Sequence, residues 1–159
     1  MDKTTKTITS NKSKIGTRYM AGVAMLSALA FVLQYLEFPI PIMPGFVKFD
    51  FSDLPALLGA FAYGPLAGVL VEFIKNLLHC AVSQSATVGE LSNFILGAVF
   101  AGTAGLIYKH KKTKKMAVTG ALAGSLLMGI ISFPSNLFIV YPFYRVAYSM
   151  DYPTIVGFY

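Results

Sequence analysis

Four polar residues, Glu72, Lys75, Asn76 and His79, recur at i, i+3, i+4 and i+7 within an otherwise apolar stretch. That spacing places them on one face of a helix. An acid, an amine, an amide and an imidazole on one stripe can neutralise one another, pass a proton, or hydrogen-bond a ligand. Two readings stay open: a Glu72–Lys75 pair neutralised against neighbouring helices, or a stripe whose outer end, Asn76 and His79, borders a ligand site. Glu90 and Asn93 stand one helical turn apart at the start of another apolar run. Either they cap that helix, where a carboxylate suits the N-terminal dipole, or they face the same ligand. Asn136, deep in the last apolar run, is an interhelical hydrogen bond or a further ligand contact. Recognisable catalytic constellations are missing from the sequence. There is no Gly-x-x-x-x-Gly-Lys-Ser/Thr phosphate loop, no His-Glu-x-x-His and no Gly-x-Ser-x-Gly. A single cysteine, Cys80, excludes an internal disulfide, and no metal-ligand spacing surrounds it. The residues read as a binding set, not an enzyme.

The elements that must carry these groups follow from composition. Of 159 residues, 55% are hydrophobic and 13% charged, with mean hydropathy +0.64. Globular proteins carry about 25% charge, so an ordinary soluble domain, a disordered tail and a nucleic-acid module are excluded. One polytopic membrane domain fits the length. Its charges are concentrated: Lys3, Lys6, Lys12, Lys14 and Arg18 stand against a single Asp2, and Lys109, Lys111, Lys112, Lys114 and Lys115 surround His110. Both clusters flank apolar runs, so the positive-inside rule makes both cytoplasmic. The first 18 residues have no apolar core with a cleavage site, so no removable signal peptide is expected.

An odd number of crossings between the clusters would break that rule. Splitting the run at Gly64-Pro65, a strong helix breaker with proline suited to a new first turn, gives four. The expected helices are 19–37, Leu54–Tyr63, Pro65–Val82, 90–108 and 116–141, with Pro134 kinking or ending the last one. The two short arms require tilt or a locally thinned bilayer. The fold class is therefore all-α, a polytopic integral membrane helical bundle with five transmembrane helices.

On this topology Glu37, Lys48, Asp50 and Asp53 belong to the first external loop or its edges, and Glu90, Asn93 and Asn136 lie toward the same side. A channel needs polar lining through its whole depth; this pattern instead makes a cup opening outward. The loop 38–52 is stiffened by Pro39, Pro41 and Pro44 and carries Phe38, Phe46, Phe49 and Phe51. It lies on the lipid interface or folds as a lid over a planar ligand. Small residues at four-residue spacing (Ala24/Ala28, Gly64/Gly68, Ala98/Gly102, Ala101/Gly105, Gly120/Gly124, Ser125/Gly129) permit close helix packing.

The stretch Lys48-Phe-Asp-Phe-Ser-Asp-Leu-Pro-Ala-Leu-Leu-Gly-Ala-Phe-Ala-Tyr-Gly-Pro-Leu-Ala-Gly, continued by Glu72-Phe-Ile-Lys-Asn-Leu-Leu-His, resembles the riboflavin-specific substrate-binding subunit, or S component, of energy-coupling factor transporters. The likeness extends through Gly89-Glu90-Leu-Ser-Asn93-Phe and Asn136, over roughly Tyr19–Tyr144. It implies a six-helix bundle with cytoplasmic termini in a bacterial plasma membrane. Such a subunit takes riboflavin from outside beneath a first-loop lid and delivers it by toppling within a complex. A transmembrane coupling subunit and two ATP-binding subunits supply the energy; no cofactor and no nucleic acid are implied.

Ala24 and Ala28 match the family's Ala-x-x-x-Ala contact with the coupling subunit. Asn136 matches an asparagine on the polar edge of the flavin ring. Lys48 and its neighbours Phe49 and Glu37, with Glu90, Asn93 and His79, are expected beside the ligand. The family's lysine-bearing sixth helix has no counterpart here. The expected organisation is thus a basic cytoplasmic segment (1–18), a transmembrane substrate-binding domain (19–145) and an external tail (146–159) truncated before that helix. The alternatives are an S component for another vitamin, such as thiamine, biotin or pantothenate, and a membrane scaffold that transports nothing.

Overall fold

The computed structural model describes residues 16–36, 38–39, 48–82, 88–140 and 142. The elements are α1 (Thr17–Tyr35), β1 (Phe38–Pro39), β2 (Lys48–Phe49), α2 (Asp53–Tyr63), α3 (Pro65–Cys80), α4 (Val88–His110) and α5 (Lys114–Ser135). A π-helical turn, Asn136–Val140, continues α5. The sequence-based expectations for the first fifteen residues, Glu37 and 146–159 lie outside the described residues.

The five expected helices are present with ends shifted by a few residues. The break between α2 and α3 falls at Gly64, whose φ of 103° is open to glycine and strained for other residues. The Gly64 amide closes α2 on Ala60 O (3.1 Å), and Gly64 O accepts from Ala67 N (2.9 Å) to start α3 behind Pro65. Pro134 sits in the last turn of α5. Regular α-helix ends one residue later, where the backbone widens into the π-turn, as an interrupted hydrogen-bond ladder favours. The loop after α1 adds a feature that the sequence pattern did not show. β1 and β2 pair antiparallel, Phe38 opposite Phe49 and Pro39 opposite Lys48.

Packing shows which ends lie together. Tyr63 meets Tyr19 at 5.8 Å between ring centroids, while Tyr35 meets His79 at 5.7 Å. So α1 runs antiparallel to α2 and parallel to α3. A Cβ on Gly105 would meet Pro65 Cα at 2.8 Å, and His79 meets Glu90, so α4 runs back along α3. A Cβ on Gly124 would lie 2.7 Å from Phe100 O, and one on Gly120 2.9 Å from Ala104 O, which sets α5 antiparallel to α4. Arg18 and the lysines Lys109–Lys115 therefore share one end of the bundle. Ser52, Asp53, Lys75, His79 and Glu90 belong toward the other.

The core is built mainly from alanine: Ala30, Ala56, Ala60, Ala67, Ala101 and Ala104, with Val23 and Val71. Large apolar side chains point outward instead; Met25, Leu126, Phe133 and Phe138 are each more than 70% exposed. In water that distribution would leave a large apolar surface uncovered. In lipid it is the stable one, because helices associate by close packing of small residues. Among the described residues three helices, Thr17–Tyr35, Gly89–His110 and Lys114–Ile139, are long and apolar enough to cross a membrane. At 1.5 Å per residue, the 11 residues of α2 and the 16 of α3 span only about 16 and 24 Å against a ~30 Å hydrocarbon core.

Candidate functional site

The polar stripe on α3 is real and divides into two parts. Glu72, Lys75 and Asn76 are buried; His79, one turn further along, is half-buried. Lys75 Nζ donates to Ser52 Oγ (2.7 Å) and Asp53 Oδ1 (2.5 Å), and it lies 3.0 Å from Glu72 Oε2. Three acceptors meet the three protons of an ammonium group. Ser52 is itself fixed, its amide donating to Asp50 Oδ1 at 2.7 Å. Asn76 Nδ2 donates to Glu72 O at 2.8 Å. The Glu72–Lys75 pairing expected from spacing is thus one arm of a larger cluster that ties α3 to the start of α2.

The contribution of Ser52 and Asp53 was missed in the sequence, although a signal for it exists. Gly64 folds α2 against α3, and eleven residues separate it from Asp53 on one side and from Lys75 on the other. Equal steps along antiparallel arms bring those residues level. On the opposite flank, the absent side chain of Gly97 makes room for Glu72, whose carboxylate would collide with a Cβ there.

Toward the end of α3, His79 Nδ1 lies 3.0 Å from Glu90 Oε1. The histidine ring also packs against Tyr35 of α1. One imidazole therefore joins α1, α3 and α4. Glu90, in the first turn of α4, is buried and makes further interactions, so it does more than cap a helix. Asn93, one turn on, is half-buried. Ser92 Oγ meets Ser135 Oγ at 3.3 Å, linking α4 to the last turn of α5 beside Asn136.

Next to this junction is a cleft of about 260 Å³ lined by Phe73, Asn76, Leu77, Cys80, Glu90, Leu91 and Phe94. Phe73 and Phe94 stand edge to face at 5.6 Å. Three buried oxygens, Gln34 Oε1, Glu72 Oε1 and Asn76 Oδ1, have no hydrogen-bond partner among the described residues. Of these, Asn76 lines the cleft with Phe73 and Phe94, and an acceptor there suits a ligand carrying hydroxyl or N–H donors on an apolar body.

Of the expected ligand residues, the structure joins His79 to Glu90 directly and places Asn93 on the same helix. Lys48 and Phe49 form β2, and Asn136 opens the π-turn. Glu37 lies outside the described residues. Ala24 and Ala28 are exposed on one face of α1 and contribute nothing to the core.

Residues 18–158 match the family described as ECF transporter, substrate-specific component. The chain belongs to this family. Members are the substrate-binding subunits of transporters, so this S component is not an enzyme. It is 41% identical over 128 residues to riboflavin transporter RibU of Staphylococcus aureus, covering 80% of this chain and 68% of that protein. It is 39% identical over 125 residues to riboflavin transporter FmnP of Bacillus subtilis, covering 77% and 66%. The chain thus spans about two thirds of the length of these relatives. A solved S component of a bacterial ECF transporter superposes with a TM-score of 0.74 at 42% identity, covering 80% of this chain and 76% of that one.

Proposed function

We propose that this S component binds riboflavin at the end of the bundle opposite its lysine loop and delivers it inward as part of an energised complex. The observation that carries the reading is the identity of about 40% to two relatives named riboflavin transporters. The site chemistry supports it. The unpartnered Asn76 oxygen in a cleft with Phe73 and Phe94 suits a flavin, whose ring is planar and whose side chain is rich in hydroxyls. In this reading Asn136 meets the polar edge of the ring, and Lys48, Phe49, Glu37, Glu90, Asn93 and His79 surround the remainder. His79 and Glu90 act there as a joined pair.

The basic end faces the cytoplasm, as the charge rule directs, and the N-terminus with it. The exposed Ala24/Ala28 face is where a coupling subunit docks, since two small residues one turn apart allow another helix to approach closely. Two ATP-binding subunits complete the complex. The test is direct. Full-length chain purified in detergent should come out yellow, and it should quench the fluorescence of added riboflavin. A colourless preparation that leaves riboflavin fluorescence unchanged would overturn the reading.

A further inference from the structure

At the basic end, the α2–α3 turn and the end of α4 enclose a second cavity, of about 350 Å³. Its wall is of two kinds. Phe61, Pro65 and Leu66 are apolar, and Leu66 is 67% exposed beside the opening. Lys109 and Lys112 bring two ammonium groups to the lining, together with Tyr63 and Tyr108. Tyr108 is held by its contact with Phe61, at 4.7 Å between centroids.

The charge around this cavity has one sign. Among the described residues, Arg18 and the lysines of the α4–α5 loop are at this end, while Asp50, Asp53, Glu72 and Glu90 belong to the other. Among the described residues these lysines therefore have no carboxylate nearby to pair with. Positive-inside topology alone accounts for lysines somewhere in the loop. It does not require two of them to border a walled cavity with an aromatic and aliphatic side.

We propose that this cavity is a binding site for the headgroup of an anionic phospholipid. The phosphate sits between Lys109 and Lys112, and the glycerol and upper acyl chain lie along Phe61 and Leu66. A free phosphate would use the lysines but leave the apolar wall without a role. An amphiphile uses both, and basic pockets between helices at the membrane edge take anionic headgroups in this way. Tyrosines at headgroup depth fit the same placement.

The experiment compares three forms of the full chain, wild type, Lys109→Gln/Lys112→Gln and Lys114→Gln/Lys115→Gln. Each is reconstituted in nanodiscs of phosphatidylcholine with 10–20% phosphatidylglycerol (roughly the range over which anionic lipid is limiting). Retained lipid is read by native mass spectrometry after mild extraction, with thermal unfolding as a check on folding. Wild type should retain phosphatidylglycerol in preference to phosphatidylcholine. The 109/112 pair should lose that preference by about thirtyfold, from about 1 kcal/mol per lysine. The 114/115 pair, equal in charge but outside the cavity lining, should stay within about twofold.

Equal losses in both double variants would overturn the proposal, leaving only diffuse charge. Displacement of the lipid by millimolar inorganic phosphate would overturn it in favour of a free-anion site. If wild type shows no lipid preference and the 109/112 variant instead fails to assemble with co-expressed partner subunits, the cavity belongs to a protein contact and the lipid proposal falls.

Discussion

Replacing Lys75 by methionine removes one charge and three contacts while keeping an unbranched apolar chain of similar length. In the native cluster Asp53, Glu72 and Ser52 converge on Lys75, whose side chain is fully buried with Glu72 buried beside it. Without the amine, two carboxylates share the same volume and Ser52 Oγ loses its donor. The Glu72 contact at 3.0 Å is worth about 5 kcal/mol of gross Coulomb energy at an effective dielectric near 20. Desolvation offsets much of that in the intact pair. What remains in the variant is a buried acid without its partner, and breaking a buried pair in this way costs ~3–5 kcal/mol. Translocon measurements put a charge at a helix centre at roughly 2.5–3.5 kcal/mol, in the same range.

Unfolding of the detergent-solubilised protein by increasing sodium dodecyl sulfate, followed by far-ultraviolet circular dichroism, measures the loss. Lys75→Met should lower stability by ~3–5 kcal/mol. Adding Glu72→Gln in the same chain should recover about half of it, because the second change removes the stranded acid. Asp53→Asn alone should cost only about 1 kcal/mol, since that side chain is 29% exposed and water can replace the amine. A loss below about 1 kcal/mol for Lys75→Met would refute the reasoning. So would a double variant no more stable than the single one.

Gly124→Leu should separate α4 from α5, because even a Cβ would lie 2.7 Å from Phe100 O; a drop of ~3 kcal/mol or more in the same unfolding assay is expected. Gly129→Leu, where a Cβ meets nothing within 4 Å, should be near neutral and serves as its control. Asn136→Ala should weaken riboflavin binding by on the order of tenfold in a fluorescence titration, the value of one lost hydrogen bond in a desolvated site. Ala24→Leu and Ala28→Leu should leave that binding unchanged and abolish vitamin uptake by cells carrying the complete transporter; normal uptake would show that this face of α1 is not the docking surface.

The helix pattern was legible because each signal had a single physical cause. Lipid requires long uncharged runs, Gly64-Pro65 can end one helix and start the next, and basic residues fix which ends lie together. The small-residue spacing was less decisive. Gly68, Gly105, Gly120 and Gly124 are pressed against neighbouring helices, while Gly129 has open space beside it and Gly102 touches only Val69 at 3.5 Å. Spacing identifies a face of a helix without naming what covers it. The partners of Lys75 and His79 depended on register between helices, which no single helix encodes. For Lys75 the turn at Gly64 supplied that register in principle. For His79 and Glu90 it depends on the connection between α3 and α4, whose length leaves several registers open.

The shortness of α2 and the place of the Lys75 cluster have a common explanation. Gly64 lies at the basic end, level with Gly105 and the last turns of α4. Eleven residues carry α2 about 16 Å from that level, a little past the middle of a ~30 Å hydrocarbon layer. The non-helical backbone around Asp50–Ser52 therefore lies at membrane depth, where it is tolerated only if protein covers it or water reaches it. Both conditions are met in part. Lys75, fully buried, covers Ser52 from the α3 side, while Asp53, bonded to the same lysine, stays 29% exposed. A lysine within the membrane is thus the element that lets a loop begin below the surface. In a bundle built this way α2 stops short of the end opposite the lysine loop. On the proposed reading, the polar groups of α3 and α4 beyond that level are the ones the vitamin meets.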